Sequence, residues 1–248
     1  MNRTLGLIGS GMIGGTLARL AVNAGWKVVL SNSRGPDTLA DLVAELGANA
    51  RAATPAEAAR AGDIVVVTVP LHAYDKLPAA ELTGKTVIDT LNYYPERDGR
   101  IAALDNDELT SSELVQRHLS GARVVKAFNS IGAKQLASLA RPAGSPERSG
   151  LPIAGDDADA KKEAAELLDA LGYDAVDVAP LAESWRSGPN TPLYCYPYVG
   201  DMPTGLTPEE LMLWFFETPG VPVPAERVRE LAACAVRGPA GASLGVAQ

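Results

Sequence analysis

Thr4-Leu-Gly-Leu-Ile-Gly-Ser-Gly-Met-Ile-Gly-Gly15 is the stretch whose reading decides the fold. A short apolar run, Leu5 to Ile8, leads directly into Gly9-x-Gly11-x-x-Gly14. A helical pattern follows, with Ile13, Leu17, Leu20, Ala21 and Ala24 on one face and Gly25 as its stop. Strand, glycine turn and helix in this order hold a dinucleotide pyrophosphate. Gly9 permits the tight turn, Gly11 lets the backbone approach the phosphates, and Gly14 lets the helix pack close to the strand. Free N–H groups at the helix start then face the negative charge. A glycine turn with no ligand is the plainer alternative. The strand before it and the helix after it favour the dinucleotide.

Composition narrows the classes around that motif. With 248 residues, 46% of them hydrophobic, the chain can build one large domain or one domain with an appendage. No apolar run approaches membrane-spanning length. The first strand begins at once and leaves no room for a targeting sequence, so a soluble cytoplasmic protein is expected. Cys195 and Cys234 show no metal spacing and point to a reducing compartment. A net charge of −8 argues against a nucleic-acid partner, and it means that any phosphate must be held by local features.

The second strand, Lys27 to Leu30, runs into Ser31-Asn32-Ser33-Arg34-Gly35-Pro36. About 20 residues past the glycines, this place separates the two nicotinamide cofactors. NAD sites carry an acid here for the ribose 2′-hydroxyl, and none lies between Gly25 and Pro36. Two serine hydroxyls, the Asn32 amide and the Arg34 cation suit a 2′-phosphate instead, which favours NADP. The plainer reading is a polar turn with a solvent-facing arginine.

A helix over Asp37 to Leu46, a short segment near Ala50 and a capped helix from Thr54 precede the strand Asp63 to Pro70. That run is almost wholly β-branched, as a strand covered on both faces requires. Ligands bind beyond the carboxyl ends of such strands, so Val69, Pro70, Leu71 and His72 are expected to line the groove. As a general acid His72 is the minority reading; a surface or hydrogen-bonding role is the commoner one. The strand Thr86 to Asp89 points Asn92 and Tyr93 into the same cleft. Thr110-Ser-Ser-Glu113 reads as a capping box on a helix running to His118, where a cation near the helix end is the plain reading. Arg123 to Phe128 is the next strand and Asn129 leaves it into the cleft. Leu151 to Ala154, a helix from Asp156 or Asp157 ended by Gly172, and Ala175 to Val178 complete the sheet. Alternation throughout gives a doubly wound α/β fold.

From Pro180 the chain turns rich in Pro, Gly and Tyr. Thr207-Pro-Glu-Glu210 is a capping box opening a helix with Leu211-Met-Leu-Trp-Phe-Phe216, and a last helix carries Val228, Leu231, Ala232 and Ala235 on one face. The apolar run serves either core packing or a subunit interface that also covers the cleft. Residues 239–248 read as frayed. The expected division is a dinucleotide-binding domain over 1–180 and a linker with a short helical tail over 181–248.

Laid end to end, the chain resembles the NADPH-dependent reductase family that contains NADP:deazaflavin (coenzyme F-420) oxidoreductase, and it is similar to the amino-terminal domain of STEAP-type metalloreductases. The likeness is carried by Gly9-Ser-Gly-Met-Ile-Gly14, Ser31-Asn-Ser-Arg34, Thr68-Val-Pro70, Val124-Val-Lys-Ala-Phe-Asn129 and Ala154-Gly-Asp-Asp157. It implies a Rossmann-type parallel sheet. It also implies that Ser10, Gly11, Met12 and Ile13 meet the pyrophosphate and that Ser33 and Arg34 meet the 2′-phosphate. Val69, Pro70, Ala127, Phe128 and Asn129 then lie near the nicotinamide. Such proteins pass hydride between NADP(H) and a stacked flavin or deazaflavin-like ring, where positioning outweighs acid–base help. The absence of a triad, carboxylate pair or metal cluster agrees with this, and no catalytic side chain is assigned. The long aromatic tail after Pro189 and the Asn92-Tyr-Tyr-Pro95 segment depart from the family pattern and leave the acceptor open. Reduction of a small carbonyl or imine, and NADPH sensing without turnover, are the rival readings. The tail predicts a homodimer.

Overall fold

The computed structural model describes residues 3–239; the fraying expected from 240 onward lies outside the described residues. The chain opens with β1 (Thr4–Ile8), α1 (Met12–Asn23), β2 (Lys27–Ser31), α2 (Ala40–Leu46), β3 (Ala50–Ala52), α3 (Pro55–Ala61) and β4 (Ile64–Val67). Next come α4 (Ala79–Leu82), β5 (Thr86–Asp89), the short helices α5 (Pro95–Asp98) and α6 (Ala102–Asp105), α7 (Ser111–His118) and β6 (Arg123–Lys126). After α8 (Ala133–Ser138) follow β7 (Gly150–Gly155), α9 (Ala158–Ala170) and β8 (Asp174–Ala179). Three more helices, α10 (Tyr196–Val199), α11 (Pro208–Glu217) and α12 (Ala225–Cys234), close the described chain.

The strands form one eight-stranded sheet in the order β3-β2-β1-β4-β5-β6-β7-β8. From β3 through β6 every pairing is parallel. The order reverses between β1 and β4, and the crevice at such a switch point is where doubly wound sheets take ligands. In β4, Ile64 and Val66 join the core that holds Leu17 of α1, while Val65 and Val67 join the one that holds Val115 of α7. A strand with period-two side chains and helices on both sides needs four apolar residues in a row, which is why it reads as an unbroken β-branched run. Each such side chain, fully buried, contributes about 1.5–3 kcal/mol.

Several expectations are corrected in detail. The second helix begins as a 3-10 turn, Pro36–Leu39, before α2. The strand expected to reach Pro70 pairs only to Val67, because the Thr68 hydroxyl turns back to donate to the Gly9 carbonyl at 2.7 Å. The strand expected to reach Phe128 stops at Lys126, and Phe128 has a left-handed φ of 58°. The wholly parallel sheet is broken by β7, which is antiparallel to β6 and parallel to β8. Parallel neighbours need a crossover spanning the sheet, usually a long helix. Between β6 and β7 the only helix is the six-residue α8, packed beside α1, so the chain re-enters the sheet from the carboxyl side.

Both sheet edges are modest. β3 has three residues, and β8 carries Asp174 and Asp177, paired with Arg148 at 2.8 Å and Lys161 at 2.6 Å. In the tail, Val228, Leu231 and Ala232 of α12 are buried beside β7 and β8. By contrast α11 has no buried residue, and Met212, Leu213 and Phe216 are exposed, so core packing is not the role of its apolar run.

Candidate functional site

The carboxyl ends of β1 and β4 meet at the glycine turn, whose shape is fixed from within. Gly9 has φ +108°, and a Cβ there would lie 2.6 Å from the Thr68 hydroxyl oxygen. A Cβ on Gly14 would run into the Gly9 carbonyl and lie 2.8 Å from the same Thr68 oxygen. These two glycines let turn, helix and strand close on one another. Gly11 differs: nothing lies within 4 Å of the Cβ it lacks. Its missing side chain leaves open space over the first turn of α1. Gly11 is the N-cap residue of α1, no side chain caps the helix, and the first turn contains no acid. The amides there are left for a partner from outside. The turn therefore fits a dinucleotide phosphate. The Ser10 hydroxyl is not available to it, because it donates to the Ser31 carbonyl at 2.9 Å.

Beyond β2, the Asn32 side chain is committed to its own turn. Its Nδ2 donates to Thr38 Oγ1 at 2.8 Å and its Oδ1 accepts from the Arg34 amide at 2.9 Å. Ser33 and Arg34 are exposed, and Arg34 has no ion pair among the described residues. The polar loop thus offers one hydroxyl and one free guanidinium, with the asparagine as their scaffold.

Across the crevice, Val69 is half-buried and Pro70 and His72 are exposed. His72 is tied to the buried Asp98 through its backbone amide at 3.3 Å and its Nδ1 at 3.1 Å. Burial pushes the Asp98 carboxyl up, but hydrogen bonds from Arg97 and from the Tyr94 and His72 amides outweigh it and hold it below the usual carboxylate range. His72 thereby joins the 3-10 turn Leu71–Lys76 to α5, a hydrogen-bonding role. His118, in the last turn of α7, meets the Leu77 carbonyl at 3.0 Å and packs edge-on against Tyr74.

The ends of β5 and β6 converge on a closed polar network. Asn92 Nδ2 donates to the Asn129 carbonyl at 2.9 Å, and Asn129 Nδ2 donates to the Ser187 carbonyl at 2.8 Å. The Tyr94 and Tyr194 hydroxyls share a hydrogen bond beside Asn92. Burial raises both phenols, so they stay protonated, and burial pushes the Cys195 thiol up to about 12. Beneath them Lys126 is 2% exposed and meets Asp89 at 3.3 Å, the Leu91 carbonyl and Ser111. Burial lowers the lysine, and Asp89 opposes that. Ala127 and Phe128 are core residues, 0% and 1% exposed, so their side chains support the crevice without lining it.

The structure thus brings the glycine turn, Val69 and Pro70 together at the switch point, and gathers Asn92 with Asn129 at the ends of β5 and β6. Thr68, the Tyr94–Tyr194 pair and the Asp89–Lys126 pair were not legible in advance. A signal existed for the last: each of two apolar strands ends in one charged residue, and the register sets Asp89 beside Lys126. Among the described residues no group of three His, Cys, Asp or Glu is placed to hold a metal, and no helix is long and apolar enough to cross a membrane.

Residues 4–93 match the family model described as NADP oxidoreductase, coenzyme F420-dependent. A hypothetical protein of Sinorhizobium meliloti shares 30% identity and a TM-score of 0.69, over 81% of this chain and 97% of that one. A proposed F420-dependent NADP-reductase of Arthrobacter sp. FB24 shares 25% identity and a TM-score of 0.63, over 74% of this chain and 87% of that one. Metalloreductase STEAP3 of Rattus norvegicus is 30% identical over 182 residues, 73% of this chain, and the match spans only 34% of that longer protein. The amino-terminal match and the likeness to the Sinorhizobium protein over nearly its whole length agree with the switch-point geometry: the chain belongs to the coenzyme F420-dependent NADP oxidoreductase family and is an NAD(P)-dependent oxidoreductase.

Proposed function

We propose that this protein transfers hydride between NADP(H) and a flavin or deazaflavin-type acceptor. The observation that carries the cofactor half is the pairing of an uncapped α1 opening over Gly11 with the unpaired Arg34 at the end of β2. In this reading the backbone of Gly9, Ser10, Gly11, Met12, Ile13 and Gly14 receives the pyrophosphate, and Ser33 and Arg34, on the scaffold of Asn32, receive the 2′-phosphate. Val69, Pro70 and His72 border one side of the nicotinamide, and Asn92 and Asn129, backed by Ala127 and Phe128, border the other. Bound NADPH supplies the hydride. The protein supplies a fixed wall and keeps the reacting faces in contact. The acceptor half rests on the family name and on the description of the Arthrobacter relative.

Residues 1–180 serve as the dinucleotide-binding domain and 181–248 as a tail whose α11 meets a second copy, making a cytoplasmic homodimer. One observation favours a second reading. Tyr94 and Tyr194, kept protonated beside Asn92, offer a hydroxyl to a small carbonyl or imine. The deciding experiment follows the absorbance of NADPH as oxidised deazaflavin, FMN, FAD, ferric chelates and small ketones or imines are offered in turn. Fast oxidation by one ring acceptor, with little from NADH, supports the proposal. Turnover with a ketone or imine alone replaces the acceptor, and tight NADPH binding without any turnover replaces the enzyme with a sensor.

A further inference from the structure

A pocket lies on the α7 side of Asn92, between the ends of β5 and β6 and the first residues of the tail. Its floor is Lys126 and Ser111, and its walls include Tyr93, Ser184, Trp185 and Arg237. It offers about 80 Å3, against the roughly 30 Å3 that one liquid water occupies. A molecule of several heavy atoms fits.

The hydrogen-bond accounting of this pocket is one-sided. Its acceptors are already engaged. Asp89, under the floor, takes Lys126, the Ser112 hydroxyl and the Leu91 amide. The Leu91 carbonyl takes Lys126, Asp107 takes Arg237 at 2.9 Å, and the Leu109 carbonyl takes Arg237 Nη2 at 2.9 Å. The Gly188 carbonyl takes the Thr191 hydroxyl at 2.8 Å. The donors are not all engaged. Ser111 Oγ accepts from Lys126, which leaves its own O–H free to donate. Ser184 is 2% exposed, and its hydroxyl has no hydrogen-bond partner among the described residues. Arg237 uses Nε and Nη2, leaving Nη1 over. A buried hydroxyl without a partner costs free energy, and a native structure tolerates it where a ligand or water completes it.

We infer that this pocket is a binding site for a small carboxylate-bearing molecule, distinct from the dinucleotide crevice. Surplus donors with few free acceptors call for an acceptor-only ligand group. Both cations of the pocket already face a carboxylate. A doubly charged phosphate would therefore find no free counter-charge, whereas a singly charged, planar carboxylate can take the hydroxyls of Ser111 and Ser184 and the free edge of Arg237. The tail supplies part of the wall, so an occupant ties residues 184–191 and 237–239 to the ends of β5 and β6.

The test uses the full chain with acetate, malonate and inorganic phosphate as probes, followed by calorimetry and by tryptophan fluorescence, which Trp185 reports. A carboxylate is expected to saturate with a millimolar or tighter Kd, and phosphate to bind at least tenfold more weakly. Ser184→Val, which puts a methyl in place of the free hydroxyl, should weaken the carboxylate at least tenfold. Ser111→Ala gives an independent reading if Ser184→Val fails to fold, with a similar loss expected. Both should leave NADPH affinity unchanged, which separates this site from the crevice. No saturation by either acid, equal or tighter binding of phosphate, or undiminished carboxylate affinity in Ser111→Ala or a folded Ser184→Val would overturn the inference.

Discussion

Three helices of this protein begin with the same device, and α1 begins without it. α3, α7 and α11 each start from a threonine whose hydroxyl accepts from the amide three residues on, while a glutamate at that position accepts from the threonine amide. In α1 a glycine stands at the cap, no side chain reaches back, and the first turn holds no acid. A capping box satisfies two orphan amides locally and stabilises its helix by about 1 kcal/mol. A chain that uses this device three times and omits it at the switch point leaves the α1 donors to something that arrives later, and a pyrophosphate has the charge and oxygens to complete them.

The largest expected effects break the contrast at its centre. Gly14→Val forces a side chain into the Gly9 carbonyl and Thr68, so it should destabilise the fold by at least the roughly 1–3 kcal/mol of an overpacked core. At about 2–4 °C per kcal/mol for a chain of this size, melting should fall by several degrees or more. Gly11→Val points into open space, so melting should stay within about 2 °C of the parent. NADPH affinity should nonetheless drop about a hundredfold, a loss of about 2.8 kcal/mol. Retained binding in Gly11→Val would make the bare helix start a purely structural feature. Next in size, Arg34→Ala removes a charge-assisted contact of about 1.5–3 kcal/mol. Calorimetry should show NADPH weakened by roughly tenfold to a hundredfold with NADH unchanged; equal losses would remove this loop from cofactor choice. Smaller again, Thr54→Ala takes the box from α3 and should cost about 1 kcal/mol, read as about 2–4 °C in melting, with no change in NADPH affinity.

The smallest effect is set by pH at the His72–Asp98 link. Because the Asp98 carboxyl lies below its ordinary value in the folded protein, its contribution is fully present above the unfolded value of about 3.9 and is lost as pH falls through the folded one. Asp98→Asn should therefore melt lower than the parent at neutral pH, with the gap closing below about pH 4. A gap that is constant with pH would mean that the carboxylate charge is not what holds the two loops.

What the sequence disclosed follows the range of the forces involved. All three capping boxes, the glycine turn and the strand Thr86–Asp89 were readable because their determinants sit within a few residues of one another. The direction of β7 was not, because it depends on whether the connection around α8 crosses the sheet, which no pattern inside the strand records. Strand ends failed for a related reason: Thr68 leaves β4 to reach Gly9, 59 positions away. At the site the same division holds. Gly11 and Arg34 declare themselves locally, whereas the Tyr94–Tyr194 contact joins residues 100 apart, and Ser187 reaches Asn129 across 58. Asn32 was legible as a polar loop residue, but not as the one that folds the loop and leaves its neighbours free.

The two ends of the sheet also bear on how copies of the chain avoid sticking together. An edge strand is an open row of amides and carbonyls that invites another strand, and proteins guard against this with short edges and charged side chains. Here one flank is only three residues long, and the other presents aspartates at positions 174 and 177, each already paired with a basic side chain. Growth by adding strands is blocked at both flanks. Self-recognition is thereby channelled to a helix surface, where contact depends on matching side chains and closes after one partner instead of continuing into a fibre.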